Sequence, residues 1–138
     1  MERILVGVGP HTRHLWAAVH ALGLAKRMNA RVSVLLVQEP SQEEDRRRSS
    51  YRQSLESFID QARAEGLAVE YYLSQGDYVD ELVRFVEEHR ITLLVVDQPG
   101  TRRGASPDSG SLIDNIRHRV DCRIEVVQET GRGLGNLT

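Results

Sequence analysis

The chain has 138 residues, of which 40% are hydrophobic and 28% charged, and its formal net charge is −2. A chain of this length forms one domain that buries roughly 68% of the surface of the unfolded chain, so its core needs no disulfide or metal. The near-neutral charge argues against nucleic acid as the main partner, and no apolar run approaches the roughly 20 residues that cross a bilayer.

The first part of the chain alternates short apolar runs with helical patterns, an order typical of a parallel sheet with crossover helices. Residues 4–8 and 31–37 are the first two predicted strands. Between them, apolar side chains recur at three- and four-residue steps, which predicts an amphipathic helix whose inner face carries Leu15, Ala18, Val19, Leu22, Ala25 and Met28. Thr12 offers an N-cap oxygen for this helix, and Asn29 is suited to end it in the left-handed conformation.

A polar stretch, residues 39–50, precedes a second amphipathic helix that Gly66 should end. Acidic residues come before basic ones in this stretch, which suits a helix N-terminus, so we interpret it as a solvated loop and first helical turn. The alternative is that the arginines at 46–48 bind an anionic ligand. Residues 67–73 form the third predicted strand, and their alternation of polar and apolar side chains indicates a sheet edge.

The remaining elements continue the same alternation. A third helix is predicted to begin after Gly76, with Asp77 as its N-cap residue. The fourth predicted strand, residues 91–96, is almost wholly apolar. A loop rich in glycine, proline and serine, residues 98–110, separates it from a fourth helix, and residues 122–128 are the fifth predicted strand.

The end of the chain differs in composition from the rest. Residues 129–138 contain three glycines and no apolar periodicity, which predicts a flexible tail. The sequence therefore predicts one domain, residues 1–128, followed by this tail. The start of the chain lacks the long apolar segment of a signal peptide, and its single cysteine, Cys122, permits no intrachain disulfide, so we expect a cytoplasmic protein.

Ligands of an open parallel sheet bind beyond the carboxyl ends of the strands, where the strand order reverses. The loop after the fourth strand is a candidate site, because Gly100 and the pair Gly110 and Ser111 are separated in it by nine residues. Glycine lets the main chain approach a phosphate closely, and the N-terminus of the following helix favours an anion. The alternative is structural, with Gly100 in a turn and Ser111 as a helix N-cap.

Several segments of the chain fit the pattern of one protein family. Residues 4–8 match its first strand, and residues 76–77 match the start of its third helix. Gly100, Gly110 and Ser111 match the last three positions of the motif G-x2-G-x9-G-[S/T], which follows its fourth strand. The chain thus resembles the universal stress protein family over nearly its whole length. The resemblance implies an α/β fold of the flavodoxin-like or Rossmann-like type, an open parallel five-stranded sheet with strand order 3-2-1-4-5 and helices on both faces.

The chain departs from the nucleotide-binding members of this family at Asp97, at Gly9 and in the stretch 105–109, which is polar where the family is often leucine-rich. Asp97 stands where the motif has its first glycine, and an acidic side chain beside a phosphate cradle repels the anion by about 1 to 4 kcal/mol at 4 Å. Gly9 stands where those members have an aspartate after the first strand. These departures predict a weakened nucleotide site, in which a bound metal would reverse the sign of the repulsion by Asp97. The alternative is that Asp97, on the neighbouring strand, stands in for the missing carboxylate.

The resemblance implies two functional hypotheses. In the first, which we favour, the chain is a cytoplasmic, dimeric, non-enzymatic domain that acts in the stress response through association and has a weakened or altered nucleotide site. In the second, it binds ATP or AMP with Mg²⁺, with slow or no hydrolysis. A bound nucleotide would then place its phosphates on Gly100, Gly110 and Ser111 and its base near Val37, at the end of the second strand.

Members of this family commonly dimerise through the fifth strand, which implies a homodimer here through Arg123, Ile124, Glu125, Val126 and Val127. Unpaired backbone groups at a sheet edge favour such pairing. In an antiparallel pair with its two-fold axis at Ile124, Arg123 stands opposite Glu125 of the second copy. Such a cross-strand pair is worth roughly 0.2 to 1 kcal/mol.

A few other side chains are of types that can bind metals or anions or act as nucleophiles. His11 and His14 lie near the expected cleft, but their three-residue spacing without a cysteine or carboxylate partner does not indicate a metal site. Arg102 and Arg103, in the glycine-rich loop, meet either phosphates or only water. We interpret Cys122 as a small buried side chain rather than a reactive thiol.

Overall fold

The computed structural model describes residues 2–9, 12, 14–38, 46–97 and 108–127. In these ranges, five strands and four helices alternate along the chain. Their bounds are β1 Arg3–Val8, α1 Trp16–Met28, β2 Arg31–Gln38, α2 Arg46–Ala64, β3 Val69–Gln75, α3 Tyr78–His89, β4 Leu93–Asp97, α4 Asp108–Arg119 and β5 Arg123–Val127. The predicted order of elements is confirmed. The predicted tail, residues 129–138, lies outside the described residues.

The five strands form one parallel sheet with the order β3-β2-β1-β4-β5, which confirms the predicted fold class. The chain runs outward from β1 through β2 to β3 and then returns to β4 on the other side of β1. The strand order therefore reverses between β1 and β4, where Gly7 is paired with Val96. In an open sheet, a ligand cleft forms at this reversal. β3 is a sheet edge, as predicted, and β5 is the other edge.

Apolar side chains cover both faces of the sheet. Ile4, Val6 and Val8 of β1 pack in a cluster with α1 and α2, whereas Leu5 packs in a second cluster with α3 and α4. Because the central strands are covered on both faces, they carry nearly continuous apolar runs rather than an alternating pattern. The most apolar segments are thus strands, and no described helix is long and apolar enough to cross a bilayer.

Two predicted helix ends are confirmed by their geometry. The Oδ2 atom of Asp77 accepts a hydrogen bond from the main-chain N–H of Asp80 at 3.0 Å, so Asp77 caps the start of α3. Asn29 ends α1 in the left-handed conformation, with a φ of 55°. The short polar side chain of asparagine tolerates this conformation better than most others, which is why this position was predictable.

The third strand begins two residues later than predicted because of the way α2 ends. Gly66 follows the helix with a φ of 95°, a conformation that favours glycine. The main-chain N–H of Leu67 donates to the carbonyl oxygen of Ala62 at 3.1 Å, which completes the helix end. Leu67 therefore belongs to the helix terminus, and the strand begins at Val69 rather than at the predicted position 67.

Two predicted N-caps are wrong. α1 begins four residues after Thr12, and Leu15, in its N-cap position, makes no side-chain cap hydrogen bond. Thr12 instead bonds to Gly9, in the turn that leaves β1. Ser111 is not an N-cap either, because α4 begins three residues earlier and Ser111 lies in its first turn.

Candidate functional site

The strand reversal brings three of the predicted site residues together at the carboxyl ends of the strands. Gly9 directly follows β1, Asp97 is the last residue of the neighbouring β4, and Val37 is the next-to-last residue of β2. Val37 is fully buried and packs in the same cluster as α3. Asp97 is held by the sheet, in register with Val127 of β5. These residues therefore lie where the topology places a ligand cleft.

The glycine motif is described in part. Gly110 and Ser111 lie in the first turn of α4, which follows β4 and so begins at the same edge of the sheet. The first N–H groups of a helix have no partner within the helix and attract anions. A phosphate contact there remains a prediction. Gly100 lies outside the described residues, as do Arg102 and Arg103.

The turn after β1 is closed by two hydrogen bonds between Gly9 and Thr12. The N–H of Gly9 donates to Thr12 Oγ1 at 3.0 Å, and the N–H of Thr12 donates to the Gly9 carbonyl oxygen at 3.0 Å. Thr12 is only 2% exposed, so both bonds are shielded from water. The Gly9 N–H is therefore used inside the turn, and a ligand at this edge can take it only by breaking the turn.

The Tyr78 ring covers the face of β1 that carries Gly7 and Gly9. Tyr78 is the first residue of α3 and is 4% exposed. Its hydroxyl donates a hydrogen bond to the Gly7 carbonyl oxygen at 3.2 Å. A Cβ atom on Gly9 would lie 2.5 Å from the ring atom Cδ1, and a Cβ atom on Gly7 would lie 2.7 Å from Cδ2 of Leu82. Two side chains of α3 thus fill the space that two β1 side chains would otherwise occupy.

Asp97 places a negative charge near Tyr78. The Oδ2 atom of Asp97 is shielded from solvent at the end of β4. Burial, followed by the charge of Asp97 and the neighbouring Tyr51, raises the pKa of the Tyr78 hydroxyl well above its usual range. Tyr78 is therefore protonated at neutral pH and donates its hydrogen bond to β1.

Sequence reasoning missed Tyr78 and the role of Thr12. A helix that follows a parallel strand begins at the carboxyl edge of the sheet, so the first side chain of α3 lies beside the cleft. The available signal in the sequence was the position of Tyr78 directly after the N-cap residue Asp77. Its contact with Gly7 spans 71 positions of the sequence and has no local pattern.

Two other predicted candidates are engaged in packing. The His14 ring stacks on Trp16 with 4.4 Å between the ring centroids, and the His14 carbonyl oxygen accepts a hydrogen bond from Tyr51 at 3.2 Å. In the part of the chain that the structure describes, no three His, Cys, Asp or Glu side chains come together as a metal site requires. His11 lies outside that part. Cys122 is half-buried, and burial raises the pKa of its thiol.

A cavity of about 540 Å³ lies at the other end of the strands, near the amino ends of β1, β2 and β3. Its lining includes Arg3, Arg31 and Arg63. Arg3 Nη1 donates to the carbonyl oxygen of His89, the last residue of α3, at 3.3 Å. Arg63, in the last turn of α2, donates from Nε to the carbonyl oxygen of Val69 at 2.9 Å. Because cations near helix C-termini offset the helix dipole, these two arginines have structural roles.

The model of the universal stress protein family matches residues 1–128, which include all nine elements of the fold. The chain belongs to the universal stress protein family. No curated protein sequence matches it well enough to indicate a relative.

Solved universal stress proteins share the fold. The universal stress protein UspA from Lactobacillus plantarum is 17% identical, with a TM-score of 0.72 over 91% of this chain and 96% of that one. A universal stress protein in complex with cAMP is 23% identical, with a TM-score of 0.67 over 91% and 96%. The protein from Archaeoglobus fulgidus in complex with dAMP is 15% identical, with a TM-score of 0.61 over 91% and 96%. At such identities the likeness concerns the fold.

Proposed function

We propose that this universal stress protein domain acts in the stress response through association with a second copy of itself, without enzymatic activity, and with a weakened nucleotide site. The observation that carries the weakened site is the Asp97 carboxylate, which ends β4 where the phosphate motif begins. The observation that supports association is the edge position of β5.

The charge of Asp97 opposes phosphate groups. Two unit charges of the same sign at 4 Å repel each other by about 1 to 4 kcal/mol, depending on the local dielectric, which lowers affinity about fivefold to a thousandfold. Gly9 adds to this effect, because it has no side chain to hold a ligand and its N–H is bonded to Thr12. The cleft therefore lacks a carboxylate anchor on β1 and carries a repelling charge on β4.

The second candidate function is genuine binding of ATP or AMP. Two structures with the same fold are complexes with cAMP and dAMP, which supports nucleotide binding as a property to test here. Gly110 and Ser111 lie in the first turn of α4, and Val37 offers a buried apolar position for a base at the end of β2. Mg²⁺ beside Asp97 would turn its repulsion into attraction.

Equilibrium titration with ATP, AMP and cAMP, each with and without Mg²⁺, separates the two candidates. For a weakened site we expect dissociation constants no tighter than about 1 mM. Saturable binding with a dissociation constant of about 1 μM would overturn the weakened site and establish the second candidate.

The proposed association surface is the outer edge of β5. In the part of the chain that the structure describes, β5 pairs with β4 on one side only, so the main-chain groups of its other side can pair with a second copy. Ile124 and Val126 are half-buried against the cluster of α3 and α4. Glu125 Oε1 lies 2.6 Å from Nε2 of His20, and the remaining carboxylate oxygen can accept a hydrogen bond from Arg123 of the second copy.

Sedimentation velocity over a concentration series tests this surface. We expect a wild-type dimer and a weaker Glu125→Arg dimer, because the substitution places like charges opposite each other. Glu70→Arg is the matched control, since Glu70 is an exposed acid on β3, at the other edge of the sheet. A monomeric wild type, or Glu125→Arg and Glu70→Arg dimers of equal stability, would contradict the proposal.

A further inference from the structure

At the carboxyl end of β1, the Tyr78 ring fills the space that a side chain at Gly9 would need, an arrangement that we call the interlock. We propose that the Tyr78 ring determines the ligand specificity of the cleft, because it occupies the space that a side chain anchoring a nucleoside at position 9 would need. This inference rests on the proposed function, since it concerns the same cleft. Its consequence is that the cleft gains nothing from the nucleoside part of a ligand and treats a nucleotide like an inorganic polyphosphate.

The backbone does not require glycine at position 9. Among the described glycines, positive φ values occur only at Gly66 and Gly76, so the main chain at Gly9 accepts any L-residue. The three nearest atoms to a Cβ on Gly9 all belong to Tyr78, namely Cδ1 at 2.5 Å, Cε1 at 2.7 Å and Cγ at 3.1 Å. Glycine at this position is therefore explained by the ring that lies over it.

The ring is fixed in place. The atoms that a Cβ would meet belong to the body of the ring and not to a flexible tip. Tyr78 lies directly after the N-cap residue of α3, and its hydroxyl is bonded to the Gly7 carbonyl oxygen. Moving the ring aside would break this bond in a buried position, which is costly because the polar groups lose their partners. A carboxylate anchor at position 9 and the tyrosine at position 78 thus exclude each other.

A double-mutant cycle tests the interlock. Gly9→Ala should lower the urea midpoint in the wild type and in Tyr78→Phe, which keeps the ring, and should leave it nearly unchanged in Tyr78→Ala. Gly23→Ala is the control, because a Cβ on Gly23 meets nothing within 4 Å and alanine suits the interior of α1. An equal loss from Gly9→Ala with and without the ring would overturn the proposal. If Tyr78→Ala does not fold, Tyr78→Val replaces it in the cycle.

Ligand titration tests the specificity in the Asp97→Gly background, where the repelling charge is absent. With the ring in place, in Tyr78 and Tyr78→Phe proteins, ATP and inorganic triphosphate should bind with equal affinity. In Tyr78→Ala that also carries Gly9→Asp, position 9 has both the space and a carboxylate for the nucleoside, so ATP should bind at least about tenfold more tightly than triphosphate, a difference of about 1.4 kcal/mol. Preference for ATP with the ring in place, or no preference in the variant that carries both Tyr78→Ala and Gly9→Asp, would overturn the inference.

The two proposals fail in different ways. If Asp97→Gly strengthens the binding of neither ligand, the repulsion attributed to Asp97 is wrong and the proposed weakened site loses its support. The stability cycle with Gly9→Ala, which needs no ligand, then decides whether Tyr78 blocks position 9. If Asp97→Gly strengthens the binding of both ligands but the ring makes no difference to the ratio of their affinities, only the role of Tyr78 is wrong.

Discussion

Gly9 and Thr12 are joined by two hydrogen bonds, one from the main-chain N–H of Gly9 to the Thr12 hydroxyl and one from the N–H of Thr12 to the Gly9 carbonyl oxygen. Both donor–acceptor distances are 3.0 Å. A buried side chain thus fixes the turn that leaves the central strand. This turn holds Gly9 beneath the Tyr78 ring, at the carboxyl ends of the strands, where the candidate site lies.

Thr12→Val should destabilise the fold. The substitution keeps the shape of the side chain but removes the acceptor of the Gly9 N–H, which is buried, and a buried donor without a partner costs about 1 to 3 kcal/mol. Urea unfolding measures the loss. Thr12→Ser, which retains the hydroxyl, should lose clearly less, and equal stability of the valine and wild-type proteins would show that the turn does not depend on this bond.

Asp77→Ala should weaken the start of α3. The Asp77 carboxylate accepts the N–H of Asp80, and loss of such a cap costs about 0.5 to 2 kcal/mol. Asn is also a good N-cap residue, so Asp77→Asn should lose little of the free energy of unfolding. Thermal or urea unfolding of both variants checks the prediction. Equal losses for alanine and asparagine would mean that the charge, and not the cap hydrogen bond, stabilises this terminus.

Tyr71 should make the stability of the protein fall at high pH. Burial and the hydrogen bond of its hydroxyl to Glu56 raise the pKa of Tyr71 from 10.0 to about 12. The unfolded chain therefore loses this proton at lower pH than the folded one, so the contribution is complete below pH 10 and is lost as the pH rises toward 12. Tyr71→Phe should flatten the profile of unfolding free energy in this range. An unchanged profile would assign the alkaline loss to other groups.

The order of the elements was predictable because each strand and helix has a local pattern. The inner face of α1 was less so, since Val19 and Met28 follow the helical period but are 50% and 37% exposed. The buried face instead uses Ala17 and Ala21, whose small side chains let the helix lie close to the sheet. A prediction from hydrophobic periodicity favours the larger apolar residues, so the predicted inner face of α1 is rotated about the helix axis relative to the observed one.

The candidate site was predictable only where topology alone decides. Gly9 follows β1 and Asp97 ends the neighbouring parallel strand β4, so they lie at the same end of the sheet whatever their side chains do. The contact of Tyr78 with Gly7 depends on how α3 packs across the sheet, 71 positions away in the sequence. A pair of glycines two positions apart in a buried strand indicates that something bulky lies opposite, but not which residue it is.

Asp97 offers the most direct test of the weakened site. ATP is titrated into the wild type, Asp97→Gly and the control Asp121→Gly, which removes an exposed carboxylate just ahead of β5. Removal of the Asp97 carboxylate should strengthen ATP binding at least about fivefold, because a repulsion of about 1 kcal/mol or more is lifted, while Asp121→Gly should bind like the wild type. Unchanged affinity in Asp97→Gly would contradict the weakened site, and weaker affinity would identify Asp97 as a ligand of a metal or of the ribose.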